Sequence, residues 1–231
     1  DDVYYNRIKS STFTKGMRDF HNLFVKKYLI SSVSHPGDKL IDLAVGKGGD
    51  FPKWIDSELS LVVGIDSSKD NIENRVDGAY ARYLNYKKSH KNIPDALFIH
   101  GDSSEVYNLK GIKTTQYLNM YNAILGSGAK DEKLLGKNVF HKYGIAKDGF
   151  EVCSCQFALH YFFASVYSLE NFIQNVINNT QVGGYFIGTS YDGKTLFSYL
   201  ESLNTGESKI LYDSKNTSTQ GNKIWEIKKQ Y

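Results

Sequence analysis

Short apolar runs alternate with amphipathic stretches along most of the chain. Five of the apolar runs predict buried β-strands, at residues 39–45, 61–65, 96–100, 150–155 and 183–189. The stretches between them predict helices, one beginning at residue 51 and others covering about 69–90, 115–125 and 168–179. Because strands that alternate with helices form parallel sheets covered on both faces, the pattern predicts a doubly wound, mostly parallel α/β fold.

A further helix is predicted before the first strand, at about residues 16–31. Its apolar stripe recurs at helical spacing and comprises Phe20, Leu23, Phe24 and Tyr28. Arg18, Asn22 and Lys26 are four residues apart and therefore share another face of the same helix. On spacing alone, this second face is interpreted as a solvated polar surface.

Local signals mark several helix ends and turns. Asp50 and Ser168 are predicted as N-caps of the helices that follow them, and Pro52 suits a first turn. The apolar face of helix 168–179 is predicted to comprise Leu169, Phe172, Ile173, Val176 and Ile177. A short helix at 195–203 and a hairpin of 209–213 against 223–228 are predicted after the fifth strand.

The length of 231 residues fits one α/β domain spanning 1–231. It is predicted to comprise an N-terminal helical segment at 1–35, a Rossmann-like core at 36–203 and the start of a hairpin at 204–231. An insertion at 103–149 interrupts the alternation and contains a mobile-looking loop at 126–133. No element typical of a domain end precedes Tyr231, so the C-terminal part is expected to be truncated.

The composition bears on the compartment and the partners expected for this protein. The sequence has no apolar run long enough for a transmembrane helix, and no membrane partner is expected. Two cysteines in so long a chain indicate an intracellular, reducing compartment, either cytoplasm or nucleus. Cys153 and Cys155 alternate on one predicted strand, which favours buried thiols over a disulfide or a metal site. The net charge of +3 is compatible with a polyanionic partner without requiring one.

The glycine loop after the first strand is the first chemical signal. Gly46 and Gly48 fit a dinucleotide fingerprint, but Phe51 stands where its third glycine belongs. Asp50 would repel a pyrophosphate, although a carboxylate suits a cationic ligand. The loop therefore matches S-adenosylmethionine, which has an ammonium and a sulfonium but no phosphate, better than NAD.

Acids follow two further strands. Asp66 ends the second strand about 20 residues after the loop, where doubly wound folds bind ribose hydroxyls. Asp102 follows the third strand and is placed to reach an adenine edge. Each acid alone is equally well explained as a cap or turn residue. Acids at three consecutive strand ends together predict a binding crevice.

The exit of the fourth strand carries a different group of side chains. Gln156, Phe157, His160 and Tyr161 combine two aromatic rings, an amide and an imidazole within six residues. Such a group predicts a flat pocket with polar edges, suited to a planar ligand such as a nucleobase. A packing role is the alternative interpretation for His160 and for both aromatic rings.

Five motifs in this order resemble the mRNA cap (guanine-N7) methyltransferase family. They are Met17-Arg-Asp-Phe-His-Asn22 with Lys26, Asp42-Leu-Ala-Val-Gly-Lys-Gly-Gly-Asp50, Gly64-Ile-Asp66, Ser154-Cys-Gln-Phe-Ala-Leu-His-Tyr161 and Gly183-Gly-Tyr-Phe-Ile-Gly-Thr189. The insertion and the Asp-Phe-His-Asn form of the first motif resemble the methyltransferase domain of large-DNA-virus capping enzymes. The resemblance implies a Rossmann-like class I S-adenosylmethionine-dependent methyltransferase with a seven-stranded sheet.

The resemblance also implies roles for individual residues. S-adenosylmethionine would be held by Lys26, Ala44, Gly46, Gly48, Asp66, Asp102, Ser103, Gln156 and Tyr161. The cap guanine would be held by Asn22, Phe157, His160 and Tyr161. Guanine N7 has a lone pair and no proton to lose, so methyl transfer by in-line displacement needs no general base. Phe157, His160 and Tyr161 are accordingly expected to position the guanine.

Some family features are missing. Leu23 stands where the family has a second asparagine, Ala44-Val45 replaces Gly-Cys, and Tyr191 replaces a proline near the cap. The family's C-terminal segment with its guanine-reading glutamate is expected to lie beyond Tyr231, on a longer protein of which this chain is a fragment. Expected partners are the capped 5′ end of mRNA and, on one longer polypeptide, triphosphatase and guanylyltransferase domains. Methylation of another RNA or a small molecule, and a silent module that stabilises a capping complex, remain alternative functions.

Overall fold

A five-stranded parallel sheet forms the centre of the protein in the computed structural model, which describes residues 14–212 and 223–230. Its strands are β1 (Lys39–Asp42), β2 (Leu61–Asp66), β3 (Asp95–His100), β4 (Phe150–Gln156) and β5 (Thr180–Thr189). They lie in the order β3-β2-β1-β4-β5, and every neighbouring pair is parallel. The predicted doubly wound α/β fold is confirmed.

The order of the strands fixes where a ligand can bind. The chain runs from β1 outward to β2 and β3, then returns to the other side of β1 for β4 and β5. The order therefore reverses between β1 and β4, which are direct neighbours. In open α/β sheets, the crevice at the carboxyl ends of the strands beside such a reversal is the usual binding site.

Helices cover both faces of this sheet. The N-terminal helix consists of α1 (Lys15–Phe20), a π-helical turn (His21–Val25) and α2 (Lys26–Val33). The helices between β1 and β5 are α3 (Phe51–Asp56), α4 (Lys69–Glu73), α5 (Ala79–Ser89), α6 (Thr115–Ile124), α7 (Glu132–His141) and α8 (Val166–Asn179). A π turn at Tyr107–Gly111 and a 3₁₀ segment at Leu159–Ala164 complete the connections.

Alternate residues of the strands supply two hydrophobic clusters, one on each face. Leu40 and Val62 pack with α2, α3 and α5 residues such as Trp54. Ile41 and Val63 pack on the opposite face with α6 and α8 residues. β1, β2, β3 and β4 are largely buried and apolar because both faces are covered there, which is why their positions were predictable. β5 is mostly exposed. Cys153 and Cys155 are buried free thiols, as predicted.

The single helix predicted at 69–90 is wrong, because α4 ends at Glu73 and α5 begins at Ala79. The Asn74 side chain accepts hydrogen bonds from the backbone N–H groups of Val76 (2.9 Å) and Asp77 (3.3 Å). These bonds offer the backbone an alternative to the helix. Gly78 closes the turn, and a Cβ there would lie 2.7 Å from the Asn74 backbone.

The insertion is more ordered than its sequence indicated. α7 begins inside the loop predicted at 126–133, with Asp131 as its N-cap accepting from the Lys133 N–H at 2.8 Å. Gly136 interrupts α7 with a φ of 73°. The interruption and the charged first turn hide the helical periodicity from sequence reasoning.

Two predictions for α8 are wrong. Ser165 is the N-cap, accepting from the Ser168 N–H at 3.0 Å, so the N-cap lies three residues before Ser168 and the helix begins at Val166. Ile173 and Ile177, predicted on the buried face, are 47% and 63% exposed. Phe172 is buried as predicted, but the other deeply buried positions of α8 are polar ones, Ser168, Asn175 and Asn179.

The predicted apolar stripe of the N-terminal helix faces solvent. Phe20, Leu23, Phe24 and Tyr28 are each more than 60% exposed, and the helix buries Ile30 instead. The solvated polar face is wrong for Lys26, which pairs with the buried Asp50. Arg18 and Asn22 are exposed, as that interpretation required.

The described residues divide into two compact units. The larger contains residues 19–190 and therefore the whole parallel sheet. The smaller contains residues 14–18 and the described residues from 191 onward, with α9 (Gly193–Leu200), β6 (Ser208–Tyr212) and β7 (Lys223–Lys228). β6 and β7 form the predicted antiparallel hairpin, as a two-stranded sheet separate from the five-stranded one.

The hairpin prediction included Asp213, which lies outside the described residues. The single domain over 1–231 and the truncated C-terminal part stay predictions. Across residues 14–212 and 223–230, no helix combines the length and the apolar character of a membrane span.

Candidate active site

A cavity of about 520 Å³ opens at the carboxyl ends of the strands, where the order of the sheet reverses. Seven predicted site residues line it: Ala44, Asp66, Asp102, Ser103, Gln156, Phe157 and Tyr161. Ser67, Ser68, Asn71, Ser104, Phe162 and Ser168 also line it and were not predicted. A larger groove of about 720 Å³ lies in the smaller unit and contains none of the predicted site residues.

Asp66 is held rigidly at the end of β2. Its Oδ2 accepts from the Gly46 N–H at 2.7 Å, and its Oδ1 accepts from the Ser68 N–H at 3.0 Å and the Asn71 amide at 2.9 Å. Each carboxylate oxygen has two lone pairs, so the Oδ2 atom retains room for a donor from a ligand. All three protein donors are uncharged, so the negative charge of Asp66 remains available to the cavity.

Asp102 and Ser103 form the neighbouring wall. Asp102 Oδ1 accepts from both the N–H (2.9 Å) and the hydroxyl (2.6 Å) of Ser104, while its Oδ2 lies 4.0 Å from Lys113 Nζ. The Ser103 hydroxyl donates to the Leu43 carbonyl at 2.6 Å and lies 2.6 Å from the Tyr107 hydroxyl. Because that hydroxyl is committed to the protein, the backbone N–H of Ser103 is the group left to address a ligand.

Phe157 occupies a strained position at the exit of β4. Its φ of 60° falls in the left-handed region, which non-glycine residues adopt at a cost of about 1–3 kcal/mol. The Phe157 N–H donates to the carbonyl (3.0 Å) and the hydroxyl (2.8 Å) of Thr189 on β5, and these bonds hold the conformation. Strain of this kind is concentrated at functional sites.

Thr189 also connects this site to the N-terminal helix. Its hydroxyl lies 3.4 Å from Gln156 Oε1 and 3.0 Å from His21 Nε2. The His21 ring packs against Phe157 with centroids 5.3 Å apart. Sequence reasoning missed both His21 and Thr189, although both lie within motifs it had identified.

The π turn explains how His21 reaches the site. The Lys26 N–H donates to the His21 carbonyl, which places residues five apart one above the other. In an α-helix the same two residues would point roughly 140° apart. The turn therefore directs His21 and Lys26 to one side, and the predicted substrate residue Asn22 is exposed. None of these three residues lines the cavity.

His160 lies beside the cavity within an aromatic group. Its ring centroid is 5.5 Å from that of Phe157 and 4.4 Å from that of Tyr161. Burial lowers the pKa of His160, and burial followed by the charge of Lys26 lowers the pKa of His21. Both imidazoles are therefore neutral at pH 7, and each can donate one hydrogen bond and accept another.

Asp50 does not face the ligand cavity, so its predicted part in selecting a cationic ligand is wrong. The carboxylate is buried and bound by Lys26 Nζ at 3.1 Å and Lys53 Nζ at 2.8 Å. Burial acts to raise the pKa of Asp50, but the two lysines lower it overall. Asp50 is the N-cap residue of α3, as predicted, but its side chain makes no capping hydrogen bond.

The glycine loop is shaped by packing inside the protein. Gly46 and Gly48 have φ values of 55° and 68°. A Cβ at Gly48 would lie 2.5 Å from the Phe51 ring, so Phe51 takes the space that a larger residue at 48 would need. Lys47 is held by Asp70 (3.3 Å) and Asp77 (2.9 Å), and neither glycine lines the cavity.

Comparison with known proteins identifies the family. The family model described as mRNA (guanine-N(7))-methyltransferase domain matches residues 2–231. A probable mRNA-capping enzyme of Acanthamoeba polyphaga mimivirus is 30% identical over 237 residues, covering 99% of this chain and 18% of the viral protein. The mRNA cap guanine-N(7) methyltransferase 1 of Oryza sativa subsp. japonica is 30% identical over 181 residues, covering 78% of this chain and 40% of the plant protein.

Solved structures give weaker similarities. An S-adenosylmethionine-dependent methyltransferase from Clostridium acetobutylicum has 13% identity and a TM-score of 0.45, covering 85% of this chain and 58% of that one. An rRNA methylase from Streptococcus thermophilus has 10% identity and a TM-score of 0.42, covering 86% and 91%.

The chain spans 18% and 40% of the two curated relatives described above. The family model nevertheless covers nearly all of its residues. The chain therefore belongs to the mRNA (guanine-N(7))-methyltransferase domain family.

Proposed function

We propose that this domain transfers a methyl group from S-adenosylmethionine to N7 of the guanine cap of mRNA. The observation that carries the proposal is one continuous arrangement at the carboxyl edge of the sheet. Asp66 and Asp102 line one end of a cavity, and Gln156 leads from it to the strained Phe157. The His21 and His160 rings contact that phenylalanine, and Tyr161 contacts His160.

S-adenosylmethionine is the methyl donor of this family, and the chemistry of the cavity residues fits it. Asp66 has the acceptor capacity for ribose hydroxyls, and Asp102 has it for an exocyclic amine. A volume of about 520 Å³ lies in the usual range for small-ligand sites, about 300–1,000 Å³. Ala44 leaves the backbone after β1 accessible beside them. When bound, the cofactor supplies the methyl group and a sulfonium leaving group.

Lys26 is proposed to hold the carboxylate of the cofactor. The lysine ammonium has three donors, and Asp50 lies on one side of it at 3.1 Å and 3.5 Å. A second carboxylate can therefore be bound without breaking the first ion pair. Gly46 contributes indirectly, since its N–H orients Asp66.

The protein residues act on the acceptor guanine by orienting it. Stacking of a base on an aromatic ring such as Phe157 or Tyr161 contributes about 1–3 kcal/mol. The neutral imidazoles of His21 and His160 offer donors and acceptors to the polar edges of the base. Alignment of well-placed reactants accounts for about 7–11 kcal/mol of a barrier, so positioning without acid–base catalysis is sufficient.

The domain is further proposed to act within a longer capping protein, beside triphosphatase and guanylyltransferase domains. The match of 99% of this chain to 18% of a viral capping enzyme supports that arrangement. A reducing location in the cytoplasm, in a viral factory or virion, or in the nucleus is proposed as well. The two buried free thiols are compatible with it.

Asp66→Ala tests the site, and GpppA-capped RNA tests the reaction. The wild type should transfer labelled methyl to capped but not uncapped RNA, and Asp66→Ala should lose S-adenosylhomocysteine binding by calorimetry. Asp95→Ala is the matched control, because Asp95 is an exposed acid at the opposite end of β3. Wild-type cofactor affinity in Asp66→Ala would contradict the site. A wild type that binds no S-adenosylhomocysteine at millimolar concentration would favour a silent stabilising module.

A further inference from the structure

Helix α8 turns a row of asparagines toward the segment that follows β3. Asn171, Asn175 and Asn179 recur every four residues and therefore share one face. Asn175 is 1% exposed and Asn179 is fully buried. Burying an amide costs free energy unless its hydrogen-bonding groups are paired. This face of α8 is therefore expected to pack against polar groups that bind the asparagine side chains.

The side-chain amide of Asn175 forms hydrogen bonds to the backbone of residues 103–107. Its Oδ1 accepts from the Tyr107 N–H at 3.2 Å. Its Nδ2 donates to the carbonyls of Ser103 (3.2 Å) and Glu105 (2.8 Å). Both amide hydrogens and the oxygen are thereby used, and the three bonds fix the path of the turn between Ser103 and Tyr107.

The same segment has further anchors and forms a cavity wall. The Ser103 hydroxyl connects the Leu43 carbonyl to the Tyr107 hydroxyl, and the Asn171 amide donates to the Ser104 carbonyl at 3.0 Å. Asp102, Ser103 and Ser104 line the cavity. A shift of this backbone would therefore move the groups that face the proposed adenine end.

We propose that Asn175 is a positioning residue for adenine recognition. It touches no ligand, but it holds the backbone so that the Asp102 carboxylate and the Ser103 N–H address the edge of the adenine. The role rests on the proposed function, because it assigns that end of the cavity to the adenosyl group. Without Asn175 the segment loses three bonds at once, and the two recognition groups no longer hold a fixed spacing.

Asn179 provides a matched control on the same helix. Its Nδ2 donates to the Asn175 carbonyl at 2.8 Å, and its Oδ1 accepts from the Tyr121 hydroxyl at 2.8 Å. It is as deeply buried as Asn175, yet neither bond reaches residues 103–107. Truncation of either asparagine should lower stability, whereas only truncation of Asn175 should alter recognition of the base.

Calorimetry with two ligands separates recognition from stability. S-adenosylhomocysteine carries the adenine amino group, and S-inosylhomocysteine replaces it with a carbonyl oxygen that the Asp102 carboxylate should reject. The wild type and Asn179→Ala should prefer the adenine compound by the same ratio. Asn175→Ala should reduce that ratio about tenfold, which corresponds to about 1.4 kcal/mol. Its turnover at saturating S-adenosylmethionine should change much less than its KM for the cofactor.

An unchanged ratio in Asn175→Ala, or an equal loss in Asn179→Ala, would overturn the positioning role. If Asn175→Ala does not fold, Asn171→Ala removes the single bond to Ser104 and should reduce the ratio by less, while no reduction would overturn the role. A wild type that discriminates between the ligands but methylates no capped RNA contradicts only the acceptor in the proposed function. A wild type that binds neither ligand contradicts both proposals.

Discussion

Three aspartates near the glycine loop have the same side chain and three different surroundings. Asp66 accepts three hydrogen bonds from uncharged donors and faces the cavity. Asp50 is buried between two lysines. Asp42 is 2% exposed and accepts a hydrogen bond from the Ala44 N–H at 3.0 Å. Only the first of these surroundings leaves a negative charge available to a ligand.

Asp42 gives a prediction about pH. Burial, followed by repulsion from Asp50, raises its pKa from 3.8 to about 7. Between those two values the folded protein binds a proton that the unfolded chain releases, so stability falls as the pH rises through this window. Above pH 7 the cost is complete, and at about 1.4 kcal/mol per pKa unit it amounts to a few kcal/mol.

Asp42→Asn should therefore stabilise the protein at pH 8 and leave it nearly unchanged at pH 4. The amide mimics the protonated acid, and its oxygen can still accept from the Ala44 N–H. Urea unfolding at several pH values measures the difference, with pH 4 as the internal reference. Parallel pH profiles for the two proteins would contradict the raised pKa.

At the scale of elements, the π turn is the feature that aligns the N-terminal helix with the site. His21 contacts Phe157 and Thr189, while Lys26 contacts Asp50. The five-residue spacing between His21 and Lys26 suits both contacts only because the turn closes with a bond between residues five apart. The helix thus preserves its contacts with Thr189, Phe157 and Asp50 at the expense of regular α-helical bonding.

Deletion of Leu23 should be tolerated. It leaves His21 and Lys26 four positions apart, and residues at that spacing in an α-helix point only about 40° apart. Leu23 is 63% exposed, so its side chain contributes little to packing. Calorimetry should find S-adenosylhomocysteine binding as in the wild type.

Insertion of one alanine after Leu23 is the opposite test. It should turn Lys26 away from Asp50 by about 100° and lower the melting temperature, because Asp50 would be left with one lysine. A deletion that abolishes binding, or an insertion without effect on melting, would contradict this account of the turn.

At the scale of the whole molecule, the candidate active site lies within one of the two compact units. All predicted site residues, and both hydrophobic clusters, fall within residues 19–190. The described residues from 191 onward contribute α9 and the β6–β7 hairpin, whose strands are largely exposed. Cofactor binding should therefore stabilise the larger unit selectively.

Hydrogen exchange with and without S-adenosylhomocysteine tests that expectation. At a ligand concentration 100 times the Kd, amides that exchange by unfolding of the larger unit should gain about 2.7 kcal/mol of protection. Peptides from β6 and β7 should exchange at the same rate in both conditions. Equal protection of the hairpin would mean that the two units unfold together.

Sequence reasoning succeeded where one physical requirement dominates. Strands β1 to β4 are largely buried, so their apolar runs leave little alternative, and acids at strand ends follow from chain order in a parallel sheet. It failed where the burial of a residue depends on a hydrogen-bonding partner that is distant in sequence. Asn175 is buried because the segment after β3 needs its amide, and Ile173 on the same helix is exposed.

The sequence by itself determined the parallel α/β fold, the family and seven residues that line the cavity, because periodicity and motif order are local properties. Only the tertiary structure decided which polar groups reach that cavity. It placed His21 rather than Asn22 beside Phe157 and paired Asp50 with Lys26 and Lys53. The reason is that burial and hydrogen bonding depend on the whole set of neighbours, and most of those neighbours are far away along the chain.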